Sequence, residues 1–151
     1  MRPVPDTPTG PFWDIVAGRS ARPPAMDLLG FELLEVDLDA GTMRAAYDGR
    51  AEFANLAGHV QGGVLCAMLD SVMGSLVVAT LDTGQWAPTL DLQAQFLSPA
   101  LLGRIEGRSR LVRRGGSVAF VAGELHGPDG RLVATGTATQ QIRDRRPGSQ
   151  S

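Results

Sequence analysis

The chain has 151 residues, of which 43% are hydrophobic and 20% are charged, and its formal net charge is −2. This length predicts one domain with its own core, and the lack of a basic excess argues against a nucleic-acid partner. The single cysteine, Cys66, excludes an intrachain disulfide and a cysteine-rich metal site. Residues 1–10 lack the apolar core of a signal peptide, and no apolar run approaches the ~18 residues that cross a bilayer. We therefore expect a cytoplasmic protein without a membrane partner.

The elements before residue 50 are short. The segment from Pro11 to Gly18 predicts a short helix, and the two prolines of Arg19–Ala25 predict a linker. Two strands follow, Phe31–Leu38 and Thr42–Tyr47, because apolar residues alternate with polar ones in both. The turn residues between these strands predict a hairpin.

The stretch from Gly62 to Leu81 predicts a buried helix, because small or hydrophobic side chains lie on all sides of its helical projection. Asp70 is the one charged residue in this stretch. An isolated ionised carboxylate in an apolar interior costs several kcal/mol unless it is paired or solvated. A functional role for Asp70 would explain its presence.

Four further strands are predicted after this helix, from alternating apolar positions and many Val and Thr residues: Ala87–Leu97, Arg104–Arg113, Ser117–Leu125 and Leu132–Ile142. Short glycine-bearing turns between them favour one antiparallel meander. The predicted fold class is α+β, with a long central helix wrapped by a curved antiparallel sheet. We expect an N-terminal extension with a short helix over residues 1–27, the main domain over 28–142 and a polar tail over 143–151.

Several short motifs occur in a fixed order between Gly30 and Ile142: Asn55-Leu-Ala-Gly58, Gln61-Gly62-Gly63, Leu69-Asp70, Thr89-Leu-Asp91-Leu, Phe96-Leu-Ser-Pro99-Ala and Gly130-Arg-Leu-Val-Ala. In this combination the chain resembles the hotdog-fold acyl-CoA thioesterases, specifically their phenylacetate-degradation (PaaI-type) branch. The resemblance implies the hotdog fold, hydrolysis of an acyl-CoA thioester, and no cofactor other than the coenzyme A of the substrate. The family usually has His-Gly-Gly where this chain has Gln61 before the two glycines, and a glutamine cannot titrate.

Gly62 and Gly63 lie at the expected N-terminus of the central helix, where free backbone amides and the helix dipole suit an oxyanion. The resemblance implies that the Gly62 amide faces the thioester carbonyl. Asp70 follows eight residues later, ~12 Å along the helix, so one carbonyl cannot easily contact both groups of one chain. Antiparallel helices of paired subunits, the family's arrangement, would bring them together. We therefore expect an obligate homodimer, with Asp70 as the general base or the nucleophile. A homotetramer is the favoured larger assembly, although the sequence does not separate dimer from tetramer.

Three more residues match family positions near the reacting centre. Asn55 would hold the substrate or water beside the glycine loop, although a local turn would also explain it. Thr89 would orient Asp70 or the attacking water, although a β-branched residue in a strand needs no such role. Gln61 would position the substrate without exchanging a proton.

A basic turn is the candidate site for the coenzyme A phosphates. It consists of Arg113, Arg114, Gly115 and Gly116, which offer two guanidinium groups and free backbone amides. A solvated hairpin is the structural alternative.

The favoured function is hydrolysis of aryl- or medium-chain acyl-CoA. A hotdog hydratase or dehydratase is less favoured, because that chemistry usually pairs a histidine with a carboxylate and Gln61 replaces that histidine. A non-catalytic acyl-CoA-binding or regulatory protein is the other alternative, although binding alone gives no reason to keep Asp70 in an apolar helix. No metal is expected, since two separated histidines and one cysteine do not form a zinc site.

Overall fold

A computed structural model describes residues 8–146 of the chain. Its helices and strands, in chain order, are α1 (Pro11–Val16), α2 (Pro24–Leu29), β1 (Glu32–Asp37), β2 (Thr42–Gly49), α3 (Gly62–Ala79), β3 (Gln85–Trp86), β4 (Thr89–Phe96), β5 (Gly103–Arg114), β6 (Val118–His126), β7 (Leu132–Gln141) and β8 (Arg143–Asp144). One 3₁₀ turn, Ala51–Phe53, precedes α3. The four long strands predicted after the central helix are all present, with bounds shifted by one or two residues.

Six strands form one antiparallel sheet in the order β1-β2-β5-β6-β7-β4. Helix α3 packs across this sheet and contacts five of its strands, from β2 to β4. Glycines of the sheet allow this close approach: a Cβ atom at Gly123 would lie 2.9 Å from Cγ of Met73. The predicted α+β hotdog architecture, a long central helix against a curved antiparallel sheet, is confirmed.

The two sides of α3 differ in burial. Leu69, Val72 and Leu76 face the sheet and are fully buried. On the opposite side, Gly63 and Ala67 are exposed in the single chain, so the prediction of burial on all sides is wrong for one subunit. We call Gly63, Ala67 and Asp70, which the helical spacing i, i+4, i+7 places on one side, the outward face.

By length and composition α3 could cross a membrane, which corrects the expectation that no apolar run is that long. Half of this helix is buried inside the molecule. The core helix of a soluble domain has the same composition, so this property alone does not indicate a membrane protein.

The chain termini depart from the predictions. The linker prediction is wrong from Pro24 onward, because α2 begins there with proline at its first turn. The N-terminal extension also contributes to the core: Phe12 of α1 is buried, and the indole N–H of Trp13 donates to the carbonyl of Ala79 at 3.0 Å.

The predicted polar tail begins with a short strand. Residues 143 and 144 form β8, which pairs with β3 in a separate two-stranded sheet. The remaining predicted segments, 1–7 and 147–151, lie outside the described residues.

Candidate active site

Asp70 and Thr89 meet at the edge of the sheet. Asp70 lies near the middle of α3 on the outward face and is half-buried. Thr89 is the first residue of β4, and its hydroxyl donates to Oδ1 of Asp70 at 2.8 Å. The structure thus brings together two of the residues that the sequence placed in one site. The Thr89 hydroxyl lies close enough to orient the carboxylate of Asp70.

Gln140 of β7 lies behind this pair. Its Nε2 donates to Oγ1 of Thr89 at 3.4 Å, and Thr89 and Gln140 are register partners in the sheet. Gln140 is completely buried, and a Cβ atom at Gly74, one turn after Asp70, would lie 3.4 Å from its Nε2. Sequence reasoning missed this residue. Strand alternation was the available signal, because it places Gln140 on the same side of β7 as the buried Ala134 and Ala138.

Tyr47 of β2 is a second buried polar residue near Asp70 that the sequence did not single out. Its side chain is almost fully buried, and its hydroxyl makes no hydrogen bond within residues 8–146. Burial raises the pKa of Tyr47 above its ordinary value; nearby Ser71 opposes this shift and the charge of Asp70 adds to it. Tyr47 therefore stays a neutral phenol and is not available as a base at neutral pH.

The N-terminus of α3 presents two free backbone amides. Gln61 precedes the helix as its N-cap, and the first intrahelical bond runs from the Val64 amide to the Gln61 carbonyl at 2.9 Å. No acceptor among the described residues bonds the amides of Gly62 or Gly63. A Cβ atom at Gly62 would lie 3.4 Å from the ring of Phe96, so this ring covers one side of the glycine.

A cleft of about 420 Å³ opens beside Gly62. Its lining is mostly apolar and includes Leu65, Phe96 and Leu97. Asn55 also lines it, but Oδ1 of Asn55 accepts bonds from the amides of Ala57 (2.9 Å) and His59 (3.1 Å). Asn55 therefore closes the local turn, as its structural alternative proposed, and only its Nδ2 group remains for a ligand.

Gly62 and Asp70 lie at different levels of α3, the first at its N-terminus and the second near its middle. Eight residues of α3 separate them, which corresponds to ~12 Å along the helix axis. The chain therefore carries one free-amide end and one half-buried carboxylate on the same helix.

Of the predicted basic turn, Arg113 and Arg114 are the last two residues of β5, and Gly115 and Gly116 begin the connection to β6, near the C-terminal end of α3. Arg114 is engaged there: its guanidinium donates to Oγ1 and the carbonyl of Thr80 at 3.3 and 3.5 Å, at the helix C-terminus. Arg113 is exposed. Both arginines predicted to bind coenzyme A phosphates are exposed, and Arg113 is the one whose side chain makes no hydrogen bond or ion pair with the described residues.

The outer face of the sheet, which points away from α3, holds a network of charged side chains. Glu106 on β5 accepts hydrogen bonds from Arg44 at 2.9 Å and from Arg108 at 2.8 Å. The Arg44 guanidinium lowers the pKa of Glu106 to about 2. Within residues 8–146, no group of three or more His, Cys, Asp or Glu side chains could hold a metal ion.

Comparisons with known proteins place this geometry in a family. Residues 57–134 match the thioesterase superfamily. A phenylacetic acid degradation-related protein of Ralstonia eutropha, assigned as a thioesterase, is 45% identical; the alignment covers 86% of this chain and 98% of that one with a TM-score of 0.84. A Haemophilus influenzae thioesterase, 17% identical over 95% and 98% of the two chains with a TM-score of 0.79, shows the same fold.

Two curated relatives extend this similarity. A Mycobacterium tuberculosis protein assigned as an esterase is 27% identical over 97% of this chain and 100% of its own length. The medium/long-chain acyl-CoA thioesterase YigI of Salmonella typhimurium is 29% identical over 55% of this chain and 62% of its own. The match of more than half the chain, together with the Ralstonia structure, shows that this chain belongs to the thioesterase superfamily and is a thioester hydrolase.

Proposed function

We propose that this protein hydrolyses aryl- or medium-chain acyl-CoA to the free acid and coenzyme A at sites shared between two subunits. The observation that carries this proposal is the hydrogen bond from Thr89 to Asp70, which holds a half-buried carboxylate on the outward face of an otherwise apolar helix. A second subunit on the outward face would bury this carboxylate further, and burial of a charge is costly for stability; thioester hydrolysis would give the carboxylate a use.

The reaction needs a base and an oxyanion site on either side of one carbonyl carbon. Asp70 takes a proton from water as the water attacks, the Gly62 amide of the other subunit binds the oxyanion, and Asp70 returns the proton to the leaving sulfur. Alternatively, the carboxylate of Asp70 attacks the carbonyl carbon and expels coenzyme A as its thiolate. Water then hydrolyses the mixed anhydride, which releases the free acid, restores the carboxylate and supplies the proton that the thiolate takes up. Gln61, which cannot titrate, serves only to position the substrate in either route.

Two features of the single chain support a dimer: the exposed edge of the sheet at β4 and the uncovered outward face of α3. Strand β4 is at the edge of the sheet, and its Leu90 and Phe96 side chains are 59% and 53% exposed. An exposed edge with large apolar side chains is a template for pairing with a second strand. A two-fold axis beside β4 would also cover the outward face and bring each Asp70 toward the glycine end of the other α3.

The acyl class is proposed from the cleft and from the relatives. Leu65, Phe96 and Leu97 give the cleft beside Gly62 an apolar lining that suits an aromatic ring or an alkyl chain. The names of the Ralstonia and Salmonella relatives point to phenylacetic acid degradation and to medium or long acyl chains, respectively. Arg113 is the proposed contact for the coenzyme A phosphates.

Release of free thiol from short, medium, long and aromatic acyl-CoAs tests the proposal in the wild type and in Asp70→Asn. Loss of the base or nucleophile should lower kcat by about 100-fold or more. Asp91→Asn is the matched control, because Asp91 lies on the same strand as Thr89 and is exposed; its activity should match the wild type. Tight binding of acyl-CoA without turnover by the wild type would instead favour a regulatory binding protein.

A further inference from the structure

The hydrogen bonds behind Asp70 have a fixed direction. An ionised carboxylate only accepts, so the single proton of the Thr89 hydroxyl is given to Oδ1 of Asp70. The lone pairs of Oγ1 are then open only to a donor, and Nε2 of Gln140 is the donor that reaches them. The reverse orientation of the amide would set two acceptors against each other. The chain therefore runs from Gln140 to Thr89 to Asp70.

The burial of Gln140 is costly. The side chain is 0% exposed, and its Oε1 has no hydrogen-bond partner within the described residues. A buried polar atom without a partner destabilises the folded state, and an apolar residue of the same shape would avoid this cost. Its inward-facing neighbours on β7, Ala134 and Ala138, are apolar. Packing alone therefore does not explain a glutamine at this position.

We infer that Gln140 is a positioning residue that acts through Thr89: it holds the Thr89 hydroxyl as a donor to Oδ1 of Asp70. The other oxygen, Oδ2, then remains for the water or the thioester. This inference rests on the proposed function, in which Asp70 is the reacting carboxylate. It adds to that function a buried residue from β7, a strand that carries none of the residues proposed to contact substrate.

Two substitutions of Gln140 separate positioning from packing. Gln140→Met keeps the length and removes the donor, so kcat should fall by about tenfold, as loss of a hydrogen bond to a charged network predicts, with KM unchanged. Gln140→Glu places an acceptor beside Thr89 and draws its proton away from Asp70. The loss should be larger, and the acid limb of the pH–rate profile should move to higher pH, because a second carboxylate opposes ionisation of the first.

Thr89→Val tests whether Gln140 acts through the hydroxyl. If it does, adding Gln140→Met to Thr89→Val should change neither kcat nor the pH profile further, since the two substitutions break the same chain. Multiplicative losses in the double variant would overturn the inference. Ser109→Ala is the control: Ser109 is buried and donates to the Val72 carbonyl of α3 at 2.9 Å, so this variant should lose thermal stability and keep its pH profile.

A measurement without turnover keeps this inference distinct from the proposed function. The side-chain carboxyl ¹³C resonance of Asp70, identified by its absence in Asp70→Asn, reports the ionisation of this group in any variant that folds. We expect it to titrate at higher pH in both Thr89→Val and Gln140→Met than in the wild type and in Ser109→Ala. An unchanged titration in Gln140→Met would overturn the inference even if the protein is an active thioesterase. A shifted titration in a protein without thioesterase activity would support the hydrogen-bond chain and contradict only the proposed function.

Discussion

Both sides of α3 are largely apolar, but they differ in burial, and only the outward face carries a charged residue, Asp70. On the side that faces the sheet, Leu69, Val72 and Leu76 are fully buried and form the centre of the core. On the outward face, Gly63 and Ala67 are small, apolar and exposed, and both precede Asp70 along the helix. The sequence of this helix is apolar on nearly all sides, but the single chain covers only the side that faces the sheet. This difference indicates that another protein surface covers the outward face. The sheet-facing side therefore belongs to the core of this chain, and we propose that the outward face serves assembly and activity.

The largest expected effect comes from removing the Gly62 amide at the N-terminus of α3. Gly62→Pro deletes the Gly62 N–H at the first helical position, where proline is well tolerated. The preceding residue, Gln61, already has the extended conformation that proline requires. We expect kcat to fall by about 10²–10³-fold, as for removal of one oxyanion donor, with little change in Tm.

Gly62→Ala is the matched control for this substitution. It keeps the amide, and its Cβ atom would lie at ordinary contact distance, 3.4 Å, from Phe96. Equal losses of kcat in the alanine and proline variants would mean that side-chain space, and not the amide, matters at this position.

A substitution on the sheet-facing side of α3 should lower stability and leave kcat unchanged. Leu76→Ala leaves a cavity in the fully buried core and should lower the free energy of unfolding by about 2–5 kcal/mol. Below its Tm, the variant should keep its kcat, because Leu76 faces away from Asp70. Chemical denaturation and thiol-release assays on the same preparation check both parts, and a strong loss of kcat in the folded variant would contradict the division between the two sides.

A charge on the outward face should weaken assembly before it affects folding. Ala67→Arg keeps a good helix former at an exposed position but places a cation where a second α3 is expected. We expect dimer dissociation to become about 10–100-fold more favourable, since buried like charges disfavour association by a few kcal/mol. Sedimentation across a concentration series measures it, with Ala17→Arg, at another exposed alanine, as the control. Unchanged association in Ala67→Arg would place the interface elsewhere.

The smallest effect is expected from Glu106 on the outer face of the sheet. Unlike the Asp70 carboxylate, the Glu106 carboxylate is paired with arginines. The pKa of Glu106 is lowered from 4.5 to about 2, so its pairing stabilises the fold above pH 4.5 and this contribution is lost as the pH falls toward 2. Solvent screening limits the contribution to about 1 kcal/mol. Glu106→Gln should flatten the dependence of unfolding free energy on pH between 5 and 2. A dependence identical to that of the wild type would show that this network contributes nothing.

Much of the fold could be predicted because its signals are local. Alternation and glycine-bearing turns predicted the four strands after α3, and apolar composition predicted α3 itself. Helix α2 was missed because the pair Pro23-Pro24 is typical of a linker, whereas a proline in the first turn begins this helix. The β3–β8 pair was missed because strands of two residues carry no periodicity, and only tertiary contact between distant segments forms them.

The candidate site was predictable only where one residue conflicts with its surroundings. Asp70 stands out in an apolar helix, and Thr89 followed from a matched motif. Gln140 does not stand out in the sequence, because a glutamine near the end of a strand is ordinarily exposed, whereas the folded sheet buries this one and brings it beside Thr89. Asn55 was placed at the site, but its side-chain oxygen is used by the local turn, a contact that motif matching does not reveal.

The central claim is that Asp70 of one subunit and Gly62 of the other act on the same thioester. Mixed dimers of Asp70→Asn and Gly62→Pro test it most directly, because each variant alone should be inactive. If sites are shared across a two-fold axis, each mixed dimer contains one intact site, and an equal random mixture should recover about a quarter of wild-type activity. If each site lies within one chain, every site carries a defect and the mixture should remain as inactive as its components.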